Sequence, residues 1–283
     1  MKYSYWGLKG SPFGFGLDPK GFFLSGVHEE ALARLEFLVH QRRRLGVLIG
    51  PAGCGKSLLL EVFAEKLRRA GQPVARICPA GAQCAELLCD LLIALGRLPK
   101  PRNPVSSLWQ QVGDRLREAC LIGQSVVILC DQMESATQDI WQTINRLLGY
   151  IDRPECAATV VLAGRSQMLR LGHELLSKID LPIQLEPWEL LDTQQYLQEA
   201  LRRAGRIEPI FTPEGVQRLH ELSGGIPRQI NRLAELALLA GALEGFSQIG
   251  PEIIEALYPQ LSLDLTAAGA INTMWTADNM LTR

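Results

Sequence analysis

The chain has 283 residues, 47% hydrophobic and 21% charged, which is enough apolar side chain for one large domain or two small ones and too much for global disorder. Its formal net charge of −1 leaves no overall electrostatic footprint for nucleic acid or an anionic membrane. The N-terminus lacks the apolar core of a signal peptide, and no stretch approaches the roughly 20 apolar residues of a membrane span. A cytoplasmic protein without a membrane span is expected, with peripheral attachment at an inner membrane only through a partner. Seven cysteines without a C-x-x-C pair, and four scattered histidines, fit a reduced chain and argue against zinc.

Residues 1–27 are rich in Gly, Pro and aromatics and read as an ordered strap, because Trp6, Phe13, Phe22 and Phe23 require burial. From His28 to about Arg43, apolar residues fall at helical spacing, and 1–44 form the first segment. Strands and helices then alternate. "GVLIG" (46–50), "PVARI" (73–77), "SVVILCD" (125–131), "ATVVLAG" (158–164) and "DLPIQLE" (180–186) are strands, the last placing Pro182 at a sheet edge. Helices are expected over 56–70, 83–96, 105–121, 136–149 and 166–177. This alternation predicts a parallel sheet covered on both faces, an α/β core over 45–186.

After Pro187 the strands stop. Leu197, Ala200, Leu201 and Ala204 mark a helix, and Thr212 with Pro213 opens a second. "IPRQINRLAELALLAGAL" is a third, and 251–258 a short fourth. A small all-α domain over 187–259 follows, and the tail 260–283 shows no period.

"GPAGCGKS" fits G-x-x-x-x-G-K-[S/T] and stands between a strand and a helix. Gly50, Gly53 and Gly55 let the backbone amides of Gly50, Pro51, Ala52, Gly53, Cys54, Gly55, Lys56, Ser57 and Leu58 curl around a phosphate, Pro51 excepted as a donor. Lys56 reaches the β- and γ-phosphates, and the Ser57 hydroxyl can ligate Mg²⁺. Asp131 ends an apolar strand and can hold the same metal through water; its other reading is a cap for the next helix. Gln132 follows where a water-activating glutamate is usual; an amide can bond water but cannot take its proton. Glu134 either supplies that carboxylate or is a solvated first-turn residue, and the solvated reading is preferred. Arg165 and Ser166, after the fourth strand, are candidates to sense the γ-phosphate. Arg228 projects from the start of a helix, where a cation is unfavourable unless an anion neutralises it.

These residues together resemble the AAA+ ATPases. More narrowly, "YWGLKGSPF", "DPKGFFLSGVHEEALARL", "GVLIGPAGCGKS", "TVVLAG", "LQEALRRAG" and "IFTPEGVQRLHELSGGIPRQINRLAELALL" resemble the ExeA/GspA type of general secretion and pilus assembly, with TniB-type transposition proteins as relatives. The resemblance covers residues 3 to about 258. It implies a P-loop NTPase fold with a five-stranded parallel sheet in the order 5-1-4-3-2 and a C-terminal helical lid. It implies ATP and Mg²⁺ as ligands, nucleotide between core and lid, and homo-oligomeric rings or filaments with each site completed by a neighbour. Arg228 would be the lid sensor. Two departures stand out. The family usually has D-E where this chain has Asp131–Gln132, and an arginine where Lys178 precedes the last strand. Both touch hydrolysis and neither touches binding.

The expected function is a slow AAA+ ATPase whose nucleotide state controls oligomerisation and the remodelling of a protein partner in a secretion, pilus or transposition machine. Two alternatives stay open: a nucleotide-gated interaction module without useful hydrolysis, and an ATP-dependent DNA-binding regulator. The near-zero charge weighs against the last.

Overall fold

The computed structural model describes residues 2–14, 16, 18–100, 102–153, 156–171 and 173–257. The chain divides into two compact units. One is Leu17–Glu186; the other joins the first 16 residues to the chain from Pro187 onward.

The first unit is built on five parallel strands: β1 (Leu45–Ile49), β2 (Val74–Ile77), β3 (Val126–Cys130), β4 (Ala158–Gly164) and β5 (Leu181–Gln184). Their spatial order is β2-β3-β4-β1-β5, as the resemblance implied. Register is tight: Leu45 to Ile49 lie opposite Val160 to Gly164, and Val126 to Cys130 opposite Ala158 to Leu162. The apolar runs exist because β1, β3 and β4 are buried on both faces. Val126, Ile128 and Cys130 point into one core, and Val127 and Leu129 into the other. β5 pairs with β1 alone, so Pro182 does stand on an edge strand, where its missing N–H costs no ladder bond.

Helices α2 (Gly26–His40) and α3 (Lys56–Arg69) cover one face with Leu35, Leu38, Leu59, Leu60 and Phe63. Helices α4 (Cys84–Ala94), α5 (Val105–Leu121) and α6 (Gln138–Ile151) cover the other with Leu88, Leu91, Trp109, Val112 and Ile144. Each such side chain contributes about 1.5–3 kcal/mol on burial. α6 starts two residues later than its apolar period suggests, because a 3-10 turn, Met133–Ser135, intervenes after β3. The helix expected over 166–177 is two pieces, α7 (Met168–Leu171) and a 3-10 segment, His173–Lys178.

In the second unit, α8 (Leu190–Arg203), α9 (Pro213–Ser223) and α10 (Pro227–Glu244) pack with a helical stretch at 251–257. Thr212 caps α9 by accepting from the Gly215 amide at 3.0 Å, with Pro213 at the first position. The N-terminal α1 (Lys2–Tyr5) and the turn after it belong here. Trp6 is fully buried and donates to the Leu238 carbonyl at 2.8 Å. Phe13 is also buried, against Tyr196 and Phe211. Phe22 and Phe23, in the first unit, are only half-buried. Tail residues from 258 onward lie outside the described residues.

Candidate nucleotide site

Most groups singled out in the first unit follow the C-terminal ends of its parallel strands, where open α/β sheets bind ligands; Lys178 does not, since it precedes β5 and so stands at the opposite end of the sheet. β1 runs into the loop Gly50–Gly55, and α3 begins at Lys56. A Cβ at Gly50 would stand 2.6 Å from the Leu185 carbonyl oxygen and 2.8 Å from Cys54 Sγ, so only glycine fits. Gly53 and Gly55 have φ of 87° and 99°, a region where a side chain is strained. Gly55 occupies the N-cap position of α3 without any side-chain cap, so the first amides of α3 are left to an anion.

Lys56 is buried, and its ammonium donates to the Gly50 and Pro51 carbonyls at 2.8 Å each. It folds back across the loop. Burial pushes the Cys54 thiol above its ordinary range, outweighing the Lys56 charge 3.7 Å away. Cys130 is pushed up to about 12 by burial. Both act as small apolar groups.

His28 was not among the expected site residues. It is buried behind the loop, with Nε2 3.1 Å from the Cys54 carbonyl oxygen and Nδ1 2.7 Å from Ser25 Oγ. A carbonyl only accepts, so Nε2 carries the proton and donates to it; in the neutral ring Nδ1 accepts from the Ser25 hydroxyl. A Cβ at Gly55 would come within 2.7 Å of that Nε2. The imidazole therefore fixes the back of the loop. Three facts together could have found it: a histidine near the start of the preceding helix, a serine three residues before it, and the G-K-S loop.

Asp131 is 3% exposed. Its Oδ1 accepts from the Gln132 amide at 2.9 Å and its Oδ2 from Arg76 at 3.0 Å. Arg76 also donates to Glu61 on α3 at 2.8 Å. Burial pushes the Glu61 carboxyl up, but the Arg68 hydrogen bond and the Arg76 charge outweigh it and hold it below the usual range. The donor set fits Mg²⁺: a hydroxyl at the start of α3 and one buried carboxylate are hard oxygen ligands, sufficient for a cation that keeps several waters and phosphate oxygens. Ser57 and Asp131 are the residues that would hold it.

Gln132 is exposed and left-handed, with φ of 57°. Glu134 is not the solvated residue its position suggested. It is half-buried, accepting from the Arg165 amide at 3.2 Å and from Arg165 Nε at 3.1 Å. Its carboxylate thus ties the end of β4 to the 3-10 turn after β3. Ser166 is exposed. Lys178 is exposed and donates to Asn145 on α6 at 2.6 Å.

In the second unit, Gly224 and Gly225 have φ of 58° and 68°, and a Cβ at Gly225 would clash with the Trp188 carbonyl at 2.3 Å. That forced turn opens α10, with Pro227 first and Arg228 second. Arg228 is exposed and makes no ion pair among the described residues. A groove of about 660 Å³ lined by Leu197, Leu201, Ile210 and Phe211 shares no residue with the phosphate loop.

A five-stranded parallel sheet in this order, a phosphate loop after the first strand and a buried aspartate after the third are the fold and motifs of a P-loop NTPase, and in them the chain resembles the AAA+ ATPases. Residues 39–171 match the AAA domain family. More narrowly, the chain is similar to a protein of the general secretion pathway A type. It is 29% identical over 258 residues to the general secretion pathway protein A of Aeromonas hydrophila. That match covers 88% of this chain and 46% of the relative, so the chain spans less than half of that protein's length. Similar folds occur in Cdc6p of Pyrobaculum aerophilum (TM-score 0.64, 18% identity, 83% of this chain and 69% of that one). The Aeropyrum pernix ORC1 protein in complex with DNA has a TM-score of 0.62 at 14% identity, over 84% of this chain and 66% of that one. RuvB of Thermotoga maritima has a TM-score of 0.52 at 14% identity, over 81% and 66%. No helix among the described residues is long and apolar enough to cross a membrane.

Proposed function

We propose that the chain binds Mg-ATP at the Gly50–Leu58 loop and hydrolyses it slowly, and that its nucleotide state controls homo-oligomeric assembly and the remodelling of a protein partner. The observation that carries this reading is the contrast at the strand ends. Lys56, the open α3 terminus and buried Asp131 are arranged to receive a triphosphate. Neither residue just after Asp131 that could supply a base offers a free carboxylate, because position 132 is an amide and Glu134 is engaged with Arg165.

The loop amides and Lys56 bind and orient the phosphates, and bound Mg²⁺ would neutralise charge that develops on them. Gln132 can orient a water by hydrogen bonding but cannot take its proton, which removes a contribution of about 10²–10⁴ in rate. Arg165 and Arg228 are the proposed cationic readers of nucleotide state, and Lys178 the proposed contribution to a neighbouring subunit's site. A lysine there offers a point charge without the planar fork. The partner, by the relative's name, is of a secretion machine.

Steady-state phosphate release from the wild type and Gln132→Glu tests this. Slow wild-type turnover that rises in the variant is expected. Fast wild-type turnover that falls overturns the reading. The same missing carboxylate favours a second reading, a nucleotide-gated interaction module without useful hydrolysis. Single-turnover assays separate the two: no product over hours with ATP still bound selects the module.

A further inference from the structure

The buried aspartate after β3 carries a guanidinium that the phosphate-loop pattern does not require. Arg76 lies on β2, one residue before Ile77, whose carbonyl accepts from the Asp131 amide at 3.0 Å. That pairing sets Arg76 beside the tip of β3. Its Nη2 is 3.0 Å from Asp131 Oδ2 and its Nη1 2.8 Å from Glu61 Oε2. Glu61 follows Ser57 by four residues on α3, so the two share a helix face. The guanidinium therefore links the Asp131 carboxylate to Glu61, which lies one helical turn beyond Ser57. Arg76 Nε is buried without a hydrogen-bond partner. A guanidinium that forgoes a donor to stay between two carboxylates is held there by charge.

We infer that Arg76 stands in for the divalent cation. It neutralises Asp131 before nucleotide arrives and competes with Mg²⁺ for that carboxylate, and Glu61 sets how strongly. The inference rests on Asp131 being a metal ligand, as proposed above. A carboxylate only 3% exposed is costly to leave unpaired, which gives the metal-free protein a reason to keep a cation there. An arriving Mg²⁺ meets a positive charge already bonded to Oδ2. Glu61 draws on the same guanidinium and so weakens its hold on Asp131. Arg76 is thus a positioning residue that raises the Mg²⁺ concentration needed for tight nucleotide binding.

The test titrates Mg²⁺ against binding of a fluorescent N-methylanthraniloyl ATP. Arg76→Gln should lower the half-saturating Mg²⁺ about tenfold, the scale of removing one like charge at contact distance. Glu61→Gln should raise it severalfold, because Arg76 is then left wholly to Asp131. Opposite shifts are not expected of a merely structural residue. No shift, or shifts of the same sign, overturns the inference. A second arm needs no nucleotide: Arg76→Gln should melt lower in EDTA and regain stability with millimolar Mg²⁺, and adding Asp131→Asn should abolish the regain. Absence of the regain also overturns it. If wild type binds no ATP analogue at any Mg²⁺ concentration, the proposed function fails, while the melting arm still decides the role of Arg76. Should Arg76→Gln not fold, Arg76→Lys keeps the charge without the fork and should shift the titration in the same direction by less.

Discussion

The phosphate loop and the strand tip after β3 are built on different principles. The loop is mostly backbone. Its shape needs glycine at Gly50, where a Leu185 carbonyl fills the space, and at Gly55, where His28 does. The tip is side chains, two of which already have partners: Asp131 with Arg76 and Glu134 with Arg165, while Gln132 stands in an exposed left-handed position. A backbone-built site cannot change without losing the turn that makes it. A side-chain-built site can exchange one group while the fold stays. Binding and turnover can therefore diverge in one chain, and the loop and the tip should respond differently to substitution.

The largest effect is expected at the loop. Lys56→Ala should lower ATP affinity about 100-fold by calorimetric titration, given charge-assisted hydrogen bonds of about 1.5–3 kcal/mol each. Retained affinity would put the nucleotide elsewhere and break the comparison at its stronger side. Next comes the tip. Gln132→Glu should raise turnover about tenfold or more, since it restores a proton acceptor, and should move affinity less than about twofold. A variant that gains affinity without gaining rate would mean that position 132 faces the nucleotide and not the attacking water.

His28→Ala probes what holds the loop. The Cys54 carbonyl would lose its donor, so affinity should fall about fivefold and stability by about 1–3 kcal/mol, read by titration and chemical denaturation. His28→Gln can still donate an N–H and should recover part of both. Ser25→Ala should cost less than either, because it removes the partner of Nδ1 and leaves the donor to Cys54.

The loop was legible in the sequence because its information is local: glycines, a lysine and a serine at fixed spacing between a strand and a helix. The sheet was legible for a similar reason. Runs such as "VVILC" are buried on both faces, and sheet order came with the family resemblance. The partners of the tip were not legible. Arg76 and Asp131 are 55 residues apart, and nothing in "PVARI" marks its arginine as pointing toward a carboxylate. Glu134 and Arg165 are 31 apart, and their pairing depends on the 3-10 turn that delays α6. The strap shows the same limit. Composition indicated that Trp6 and Phe13 need burial, but only tertiary contacts reveal that Leu238, Tyr196 and Phe211 provide it.

Glu134→Gln gives the smallest expected effect and separates the two readings of that residue. If Glu134 were the missing base, an isosteric amide would remove proton transfer and cost about 100-fold or more in turnover. In the structure both of its oxygens face Arg165, one on the backbone amide and one on Nε. An amide keeps one acceptor oxygen for the main chain and loses the ion pair. That pair is partly exposed, with the Arg165 side chain at 39%, so its loss should cost about 1 kcal/mol or less. Turnover should change by less than about threefold, with the change arising from a looser Arg165 at the end of β4. Phosphate release and denaturant midpoint, measured on the same preparation, read the two consequences separately. A rate loss far beyond threefold with unchanged stability would move Glu134 from the clamp to the chemistry, and the tip would then hold its own proton acceptor after all.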